Sequence, residues 1–121
     1  MDEQGLLDLL RMGEGQQVEF KRKSTAGVSQ TACAFANTGG GVLLVGISDE
    51  GRVLGVTKEE ERRVSQRLSR LVPYPEVRVT TLTLTGKDIM VVEVDPSKRL
   101  VTTRKVMPRS SQASTRESMR V

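Results

Sequence analysis

The sequence has the length of one small domain: 121 residues, 36% hydrophobic and 28% charged, with a formal net charge of +4 and a pI near 9.6. Its only cysteine is Cys33 and it has no histidine, which excludes an internal disulfide, a zinc site of the finger type and a Ser-His-Asp triad. Hard cations such as Mg²⁺ remain open, because carboxylates alone can bind them.

The N-terminus begins MDEQ, without the basic start of a signal peptide, and the longest apolar run, VLLV, is far too short to span a membrane. Together with the unpaired cysteine, these features predict a cytoplasmic protein with no membrane partner. Residues 1–20 carry five acids against one base, whereas residues 98–121 carry seven Lys or Arg against one Glu. This asymmetry indicates either an anionic partner or a solubilising surface.

In chain order, the first predicted element is a short amphipathic helix, since DEQGLLDLLRM has apolar residues at 6, 7, 9, 10 and 12. The alternating QQVEFK then predicts a half-buried strand over 17–21. On such a strand, Glu19 and Lys21 project together from the polar face.

A second helix is predicted over 28–38, where apolar residues have helical spacing and three glycines follow. Gly39 suits the C-terminal cap, where a left-handed backbone costs glycine nothing. The apolar run GVLLVGIS predicts a central strand over 41–48 that is covered on both faces. A tight turn at 49–51 then leads into RVLGV, a predicted antiparallel partner over 52–56.

The third helix, predicted over 58–72, opens with Thr57 and Glu60 at the spacing of a capping box and ends at VPYP. The segment that follows predicts a hairpin around Gly86. Its arms are expected to cover the sheet positions 77–84 and 88–94.

The first arm of this hairpin changes the phase of its alternation between VRV at 77–79 and LTL at 82–84, so we expect a β-bulge near Thr80 or Thr81. RKVMPRSS is consistent with a last strand, and STRESMRV with a helix from residue 114 or 115. Together these elements predict one α+β domain over 1–121, with helices packed on a mixed or mostly antiparallel sheet.

Three carboxylates stand near predicted strand ends: Glu14 just before the first strand, Glu19 on it, and Asp49 at the end of the central strand. Such a group suits Mg²⁺ or Mn²⁺, which would activate water and stabilise the developing charge of a phosphodiester. The alternative is a set of exposed turn acids, and spacing alone does not decide between the two.

The glycine-rich NTGGG lies between a helix and a strand, which is the reverse of the order in a phosphate-binding loop. No Lys-Ser or Lys-Thr follows these glycines, so the chain has no P-loop. A helix cap with close backbone packing is therefore favoured over nucleotide binding.

Two stretches, VEFKRKS and AFANTGGGVLLVGISDEGRVLGV, resemble the Alba-like domain of the Schlafen family. The family pattern is an acid-x-Lys strand, AFANT with glycines, an apolar strand and a Gly-hydrophobic-x-Asp turn. VMPRSSQAST is similar to the family's final Arg-x-Gly-Ser-Ser element, with Ser110 in place of glycine. The resemblance covers about residues 12–118.

This resemblance implies a nucleic-acid-binding fold and, as in some animal Schlafens, a metal-dependent endoribonuclease that acts on structured RNA such as tRNA. The family's three catalytic acids fall on Glu14, Glu19 and Asp49, and its strand lysine falls on Lys21. The nuclease Schlafens also carry a zinc finger, which this chain cannot build, and two lobes, of which this chain has one. A homodimer would reproduce the two-lobed arrangement.

Charge pattern and resemblance together predict a domain that contacts the phosphates of nucleic acid. The predicted contacts are Lys21, Arg22, Lys23, Arg104, Lys105 and Arg109. Because aromatic residues make up only 2% of the chain, it lacks a platform for stacking single-stranded bases, which favours duplex DNA or structured RNA. The alternatives are the metal-dependent endoribonuclease, with Glu14, Glu19, Asp49 and Lys21 as its catalytic set, and an ATP-binding or protein-interaction module.

Overall fold

The structure, a computed structural model, describes residues 1–23 and 27–103. Within these residues, three helices run Glu3–Met12 (α1), Gly27–Ala36 (α2) and Lys58–Leu68 (α3). Six strands run Val18–Lys21 (β1), Gly41–Val45 (β2), Leu71–Val72 (β3), Val77–Leu84 (β4), Lys87–Val94 (β5) and Thr102–Thr103 (β6). The strand predicted from RKVMPRSS and the helix predicted from residue 114 or 115 lie outside the described residues.

Four of these strands form one mixed sheet in the order β1-β2-β5-β4. β1 is parallel to β2, and the β2–β5 and β4–β5 pairs are antiparallel. The two shorter strands, β3 and β6, form a separate antiparallel pair. The α+β fold with a mixed, mostly antiparallel sheet is thus confirmed.

Both faces of the sheet are covered, which explains why β2 and β5 read as nearly continuous apolar runs. On one face α2 and α3 pack over a buried cluster that includes Leu43 and Val92. On the other face α1 packs through the fully buried Leu6 over a second cluster that includes Leu44 and Val91. Neighbouring residues of one strand therefore contribute to two different cores.

Helices α1 and α3 begin where short-range signals place them. The side chain of Asp2 accepts a hydrogen bond at the start of α1, and Thr57 and Glu60 form the predicted capping box of α3. At the end of α2, the left-handed residue is Gly40 (φ 81°), so the prediction of Gly39 was wrong by one position. A Cβ at Gly40 would lie 2.8 Å from the carbonyl oxygen of Val94, which only glycine avoids.

The strand predicted over 52–56 is wrong. This segment pairs through a single isolated bridge between residues 47 and 53, and β2 ends at Val45 instead of continuing to residue 48. Gly46 takes a left-handed conformation (φ 101°), and its carbonyl accepts two N–H groups from the following segment. The chain folds back onto this one carbonyl, which leaves no ladder for a further strand.

The helix predicted over 58–72 ends earlier, at Leu68. Leu71 and Val72 instead form β3, which pairs with β6. Pro73 disfavours helical geometry in the residue before it, and the buried Leu71 joins the core below α2 and α3. Tertiary packing and the proline thus override the helical spacing.

The hairpin around Gly86 is confirmed, but the predicted bulge at Thr80 or Thr81 is not present: every residue of β4 faces one residue of β5. The change of phase has another cause. Val77 packs into the core under α2 and α3, whereas Leu82 and Leu84 belong to the core on the α1 side. The two ends of β4 serve opposite faces of the sheet.

Candidate functional site

A pocket of about 350 Å³ lies at the C-terminal end of β1. Its lining residues are Glu14, Glu19, Phe20, Lys21, Arg22, Lys23 and Asp49. The pocket therefore brings together all three acids that the sequence singled out and the three basic residues that follow β1. Charged groups of both signs share one concave surface.

Glu14 is held against the outer edge of β1. Gly13, in a left-handed conformation, ends α1, and a bridge between Gly15 and Val18 turns the chain into the strand. This turn brings the Glu14 carboxylate to the backbone N–H of Phe20, which donates to Oε2 at 2.9 Å. Glu14 thus occupies a main-chain donor that an edge strand would otherwise present to solvent or to another strand.

Glu19 lies on the sheet face that α2 covers, and it joins strand to helix. Its Oε2 accepts a hydrogen bond from Thr31 of α2 at 3.0 Å and forms an ion pair with the Nζ of Lys21 at 2.8 Å. Glu19 and Lys21 project from the same face, as the alternation of QQVEFK predicts. The Glu19 side chain is 38% exposed and the Lys21 side chain is 25% exposed, so the pair is partly open to solvent.

Asp49 reaches the pocket from a turn that a buried serine organises. Ser48 is only 3% exposed, its N–H donates to the carbonyl of Arg52 at 2.9 Å, and its hydroxyl accepts from the Arg52 N–H at 3.0 Å. Gly51 closes the turn by donating to the Ser48 carbonyl. Sequence reasoning missed Ser48, although a serine directly before an Asp-Glu-Gly turn is a recognisable signal.

Of the six predicted phosphate contacts, Lys21, Arg22 and Lys23 line this pocket, and the last two are exposed. The other three predicted contacts, Arg104, Lys105 and Arg109, lie outside the described residues. Residues 24–26, which follow the basic run, also lie outside them.

A second pocket of about 370 Å³ adjoins the first through Glu19 and lies between β1 and α2. Its polar lining residues are Gln16, Glu19, Gln30, Thr31 and Thr38. Sequence reasoning did not identify the two glutamines or the two threonines, because single amide and hydroxyl side chains on exposed surfaces carry no pattern. They extend the polar surface along β1, away from the basic residues.

The contacts of the three acids do not suit a shared divalent ion. Across residues 1–23 and 27–103, no group of three Asp, Glu, His or Cys side chains is arranged to hold a metal ion. Glu14 is engaged with a backbone N–H, and Glu19 with Lys21 and Thr31. The acids share a pocket but, in the described part of the chain, do not form an ion-binding cluster.

No helix in the described part of the chain is long and apolar enough to cross a membrane.

Two solved structures are similar in fold. The first is the N-terminal domain of a protein from Nitrosomonas europaea whose name relates it to the ATP-dependent DNA helicase RecG; it is 23% identical, with a TM-score of 0.56 over 94% of each chain. The second is the DIP2311 protein from Corynebacterium diphtheriae, 21% identical, with a TM-score of 0.52 over 73% of this chain. This chain spans 19% of the length of DIP2311.

The family is given by the sequence itself. The model of the family described as Schlafen, AlbA_2 matches residues 14–118. This range contains every residue that lines the pocket at the end of β1, together with α2, the glycines and the central strand. The chain therefore belongs to the Schlafen AlbA_2 family.

Proposed function

We propose that this domain binds the phosphate backbone of nucleic acid, either duplex DNA or structured RNA, at the pocket at the end of β1. The observation that carries the proposal is the convergence of Lys21, Arg22 and Lys23 on that one pocket. Each cation that neutralises a phosphate releases counterions, which gives affinity without reading the base sequence. Membership of the Schlafen AlbA_2 family and the likeness to a domain of a RecG-related protein also support a nucleic-acid-related role.

One acid of the pocket, Glu19, holds a cation in place for phosphate binding. The ion pair with Glu19, itself held by Thr31, keeps the Lys21 ammonium in one place between β1 and α2. Arg22 and Lys23 are exposed and line the same pocket. We infer that Lys21 fixes the register of a phosphate and that its two neighbours follow the backbone.

Binding to a labelled duplex DNA and to a labelled tRNA, each titrated with salt, tests this proposal. We expect complexes with both, and a logarithmic affinity that falls linearly with the logarithm of salt concentration, by about 0.9 per phosphate contact on duplex DNA. Affinities for duplexes of unrelated sequence should agree closely. Binding that does not respond to salt would contradict backbone recognition.

A second candidate function is a metal-dependent endoribonuclease, and one observation favours it: Glu14, Glu19 and Asp49 line the same pocket as the basic residues. Their oxygen atoms are the ligand type that Mg²⁺ and Mn²⁺ prefer. This candidate requires a rearrangement of the Glu19 contacts, since that carboxylate is paired with Lys21.

Incubation of labelled tRNA with and without Mn²⁺ separates the two candidates. If the domain is a nuclease, Glu19→Gln should abolish Mn²⁺-dependent cleavage while nucleic acid is still bound through Arg22 and Lys23, because the neutral amide keeps an acceptor for Thr31 but lacks the charge of a metal-binding carboxylate. Glu50→Gln, in the same turn as Asp49, is the matched control and should cleave as the wild type does. Cleavage that survives Glu19→Gln would contradict the nuclease, and nucleic-acid binding would remain as the only supported function.

A further proposal concerns assembly: a homodimer would give a single-lobed chain the paired architecture implied by its resemblance to two-lobed Schlafens. Light scattering on the purified protein measures this directly, and a monomer with full nucleic-acid affinity would contradict a functional dimer.

A further inference from the structure

The outer edge of β4 is the longest open strand edge of the sheet in the described part of the chain. β4 has eight residues, lies last in the order β1-β2-β5-β4, and pairs residue for residue with β5 without a bulge. Its run from Val79 to Leu84 contains no charge, no proline and no glycine. Natural sheets commonly protect such edges with charges, prolines or bulges.

The main-chain groups that β4 presents can be deduced from the hairpin. Its two-residue turn closes on the pair Leu84–Lys87, so that pair and every second pair before it exchange hydrogen bonds. The bond from the N–H of Asp95 to the carbonyl of Glu76, 3.0 Å long, continues the same phase. The N–H and C=O groups of the alternate residues point away from β5; these residues are Val77, Val79, Thr81 and Thr83.

We infer that β4 is a self-association edge, at which two copies of this chain join their sheets by antiparallel pairing about a twofold axis. With the axis at Thr80, Val77 faces Thr83 of the other copy and Val79 faces Thr81. This register uses all of the outward-pointing main-chain groups named above. Thr80 then faces Thr80 of the other copy, and threonine pairs are favourable across antiparallel strands.

Charge is compatible with this arrangement. The only charged residue of β4 is Arg78, whose guanidinium is already paired with Asp95 and Glu93 of its own chain. In the inferred register Arg78 faces Leu82 of the other copy, so like charges do not oppose one another. A second copy is therefore a chemically matched partner for this edge.

Helix α3 adds to this match. The hydroxyl of Thr81 donates to Glu61 at 3.5 Å, which places α3 beside β4. After Lys58 at its start, the first turn of the helix contains Glu59, Glu60 and Glu61, and three arginines follow these acids. A twofold axis sets the two α3 helices antiparallel, so the acidic start of one lies toward the basic part of the other.

The dimer is tested with two variants that change the same two positions. In Val79→Lys/Thr81→Lys, each lysine directly faces a lysine of the other copy, and like charges at facing positions are destabilising. In Val79→Lys/Thr81→Glu, each lysine faces a glutamate instead. By sedimentation, wild type and the Lys/Glu variant should be dimers, and the Lys/Lys variant should need about tenfold more protein, or more, to dimerise.

Disulfide trapping gives a second measurement, which remains valid if circular dichroism shows that the Lys/Lys variant is unfolded. In a Cys33→Ser background, Thr80→Cys places the two cysteines at a facing pair about 4.5 Å apart between Cα atoms, within disulfide range. Thr83→Cys is the control, because its two copies would lie about 20 Å apart along the strands. Covalent dimer should form with Thr80→Cys alone.

Three outcomes would overturn the inference. They are a wild type that is monomeric up to high micromolar concentration, Lys/Lys and Lys/Glu variants that dimerise equally, and equal cross-linking of the two cysteine variants. A monomer would also be the result if residues 104–121 of the same chain, or a foreign peptide, covered this edge. The inference rests on the homodimer proposed above and locates its interface, but it does not depend on the nucleic-acid-binding proposal, since nucleic-acid binding plays no part in these measurements. A wild-type dimer that the Lys/Lys variant does not weaken would refute this edge without refuting the homodimer.

Discussion

The two outer strands of the sheet differ in almost every property that decides what an edge does. β1 has four residues, two of them charged, and is followed directly by Arg22 and Lys23. β4 has eight residues and a single charge, which its own chain neutralises. The difference teaches that one sheet can present side-chain charge at one edge and main-chain hydrogen-bonding groups at the other.

The state of the backbone at each edge supports this distinction. At β1, the carboxylate of Glu14 occupies the N–H of Phe20, so a further strand could not use that donor. At β4, the alternate residues keep their outward groups for a partner. The first edge is therefore suited to phosphates and the second to another strand.

The largest expected effect comes from Phe20, the one fully buried side chain of β1. It anchors this short edge strand in the core on the α1 side. Phe20→Ala should lower the free energy of unfolding by about 3–5 kcal/mol, since it removes transfer energy and leaves a cavity. Urea denaturation followed by circular dichroism measures the change.

Arg22→Ala, two positions away on the exposed surface, is the control for Phe20→Ala and should change the stability by no more than about 0.5 kcal/mol. A Phe20→Ala variant as stable as this control would show that β1 does not depend on the core for its position.

The next largest effect concerns the charges of β1. Lys21→Ala/Arg22→Ala/Lys23→Ala should lower nucleic-acid affinity on every sequence alike. The salt slope should fall by up to about 2.7, which corresponds to about a 40-fold smaller loss of affinity between 50 and 200 mM salt on duplex DNA. Fluorescence anisotropy with a labelled duplex at several salt concentrations provides both values.

A matched control removes three exposed cations from other parts of the chain: Lys87→Ala/Lys98→Ala/Arg99→Ala. Both triple variants lose three positive charges, so any difference between their affinities shows that the position of the cations matters. Equal losses in both would mean that affinity follows net charge and that the edge of β1 has no special role.

Much of this comparison was accessible from the sequence. Alternation in QQVEFK correctly placed Glu19 and Lys21 on one face, and the apolar run GVLLV correctly identified β2 as an interior strand. Local signals with a fixed spacing, such as the capping box of Thr57 and Glu60, also transferred directly to the structure. These features depend on neighbours in the sequence.

The rest depends on tertiary contacts that no short pattern encodes. The ion pair of Glu19 is completed by Thr31, twelve residues away on α2. The apparent phase slip of β4 predicted a bulge because a single buried face was assumed, whereas the strand serves two cores. The folding of residues 52–56 onto Gly46 likewise requires a carbonyl that only the folded chain presents.

A smaller effect links the two edges. If β4 edges join, the two β1 pockets lie at opposite ends of an eight-stranded sheet, about 34 Å apart before twist. The gain in affinity from a short to a long duplex should then be several-fold smaller for the Lys/Lys variant at positions 79 and 81 than for the Lys/Glu variant, because the Lys/Lys variant loses avidity. Each variant is compared with itself, so their different net charges cancel. Equal gains in the two variants would mean that the pockets act independently.

The smallest expected effect tests the claim that Arg78 adds no free charge to the edge of β4. Its two terminal nitrogens donate to both carboxylate oxygens of Asp95 at 3.0 Å. This hydrogen bonding lowers the pKa of Asp95 from its ordinary value and raises the pKa of Arg78.

Because the pKa of Asp95 is lower in the folded state, its stabilising contribution is present above the unfolded-state pKa and is lost as pH falls through the folded-state pKa. Asp95→Asn should therefore lower the melting temperature slightly at neutral pH. The difference from wild type should begin to shrink as pH falls below about 4 and should vanish only below the folded-state pKa of Asp95. Glu50→Gln, at an exposed carboxylate of the 48–51 turn, controls for the loss of one acid and should show no such convergence. A difference between wild type and Asp95→Asn that persists in acid would mean that the pair stabilises β4 by shape and not by charge, and Arg78 would then count as a free cation at this edge.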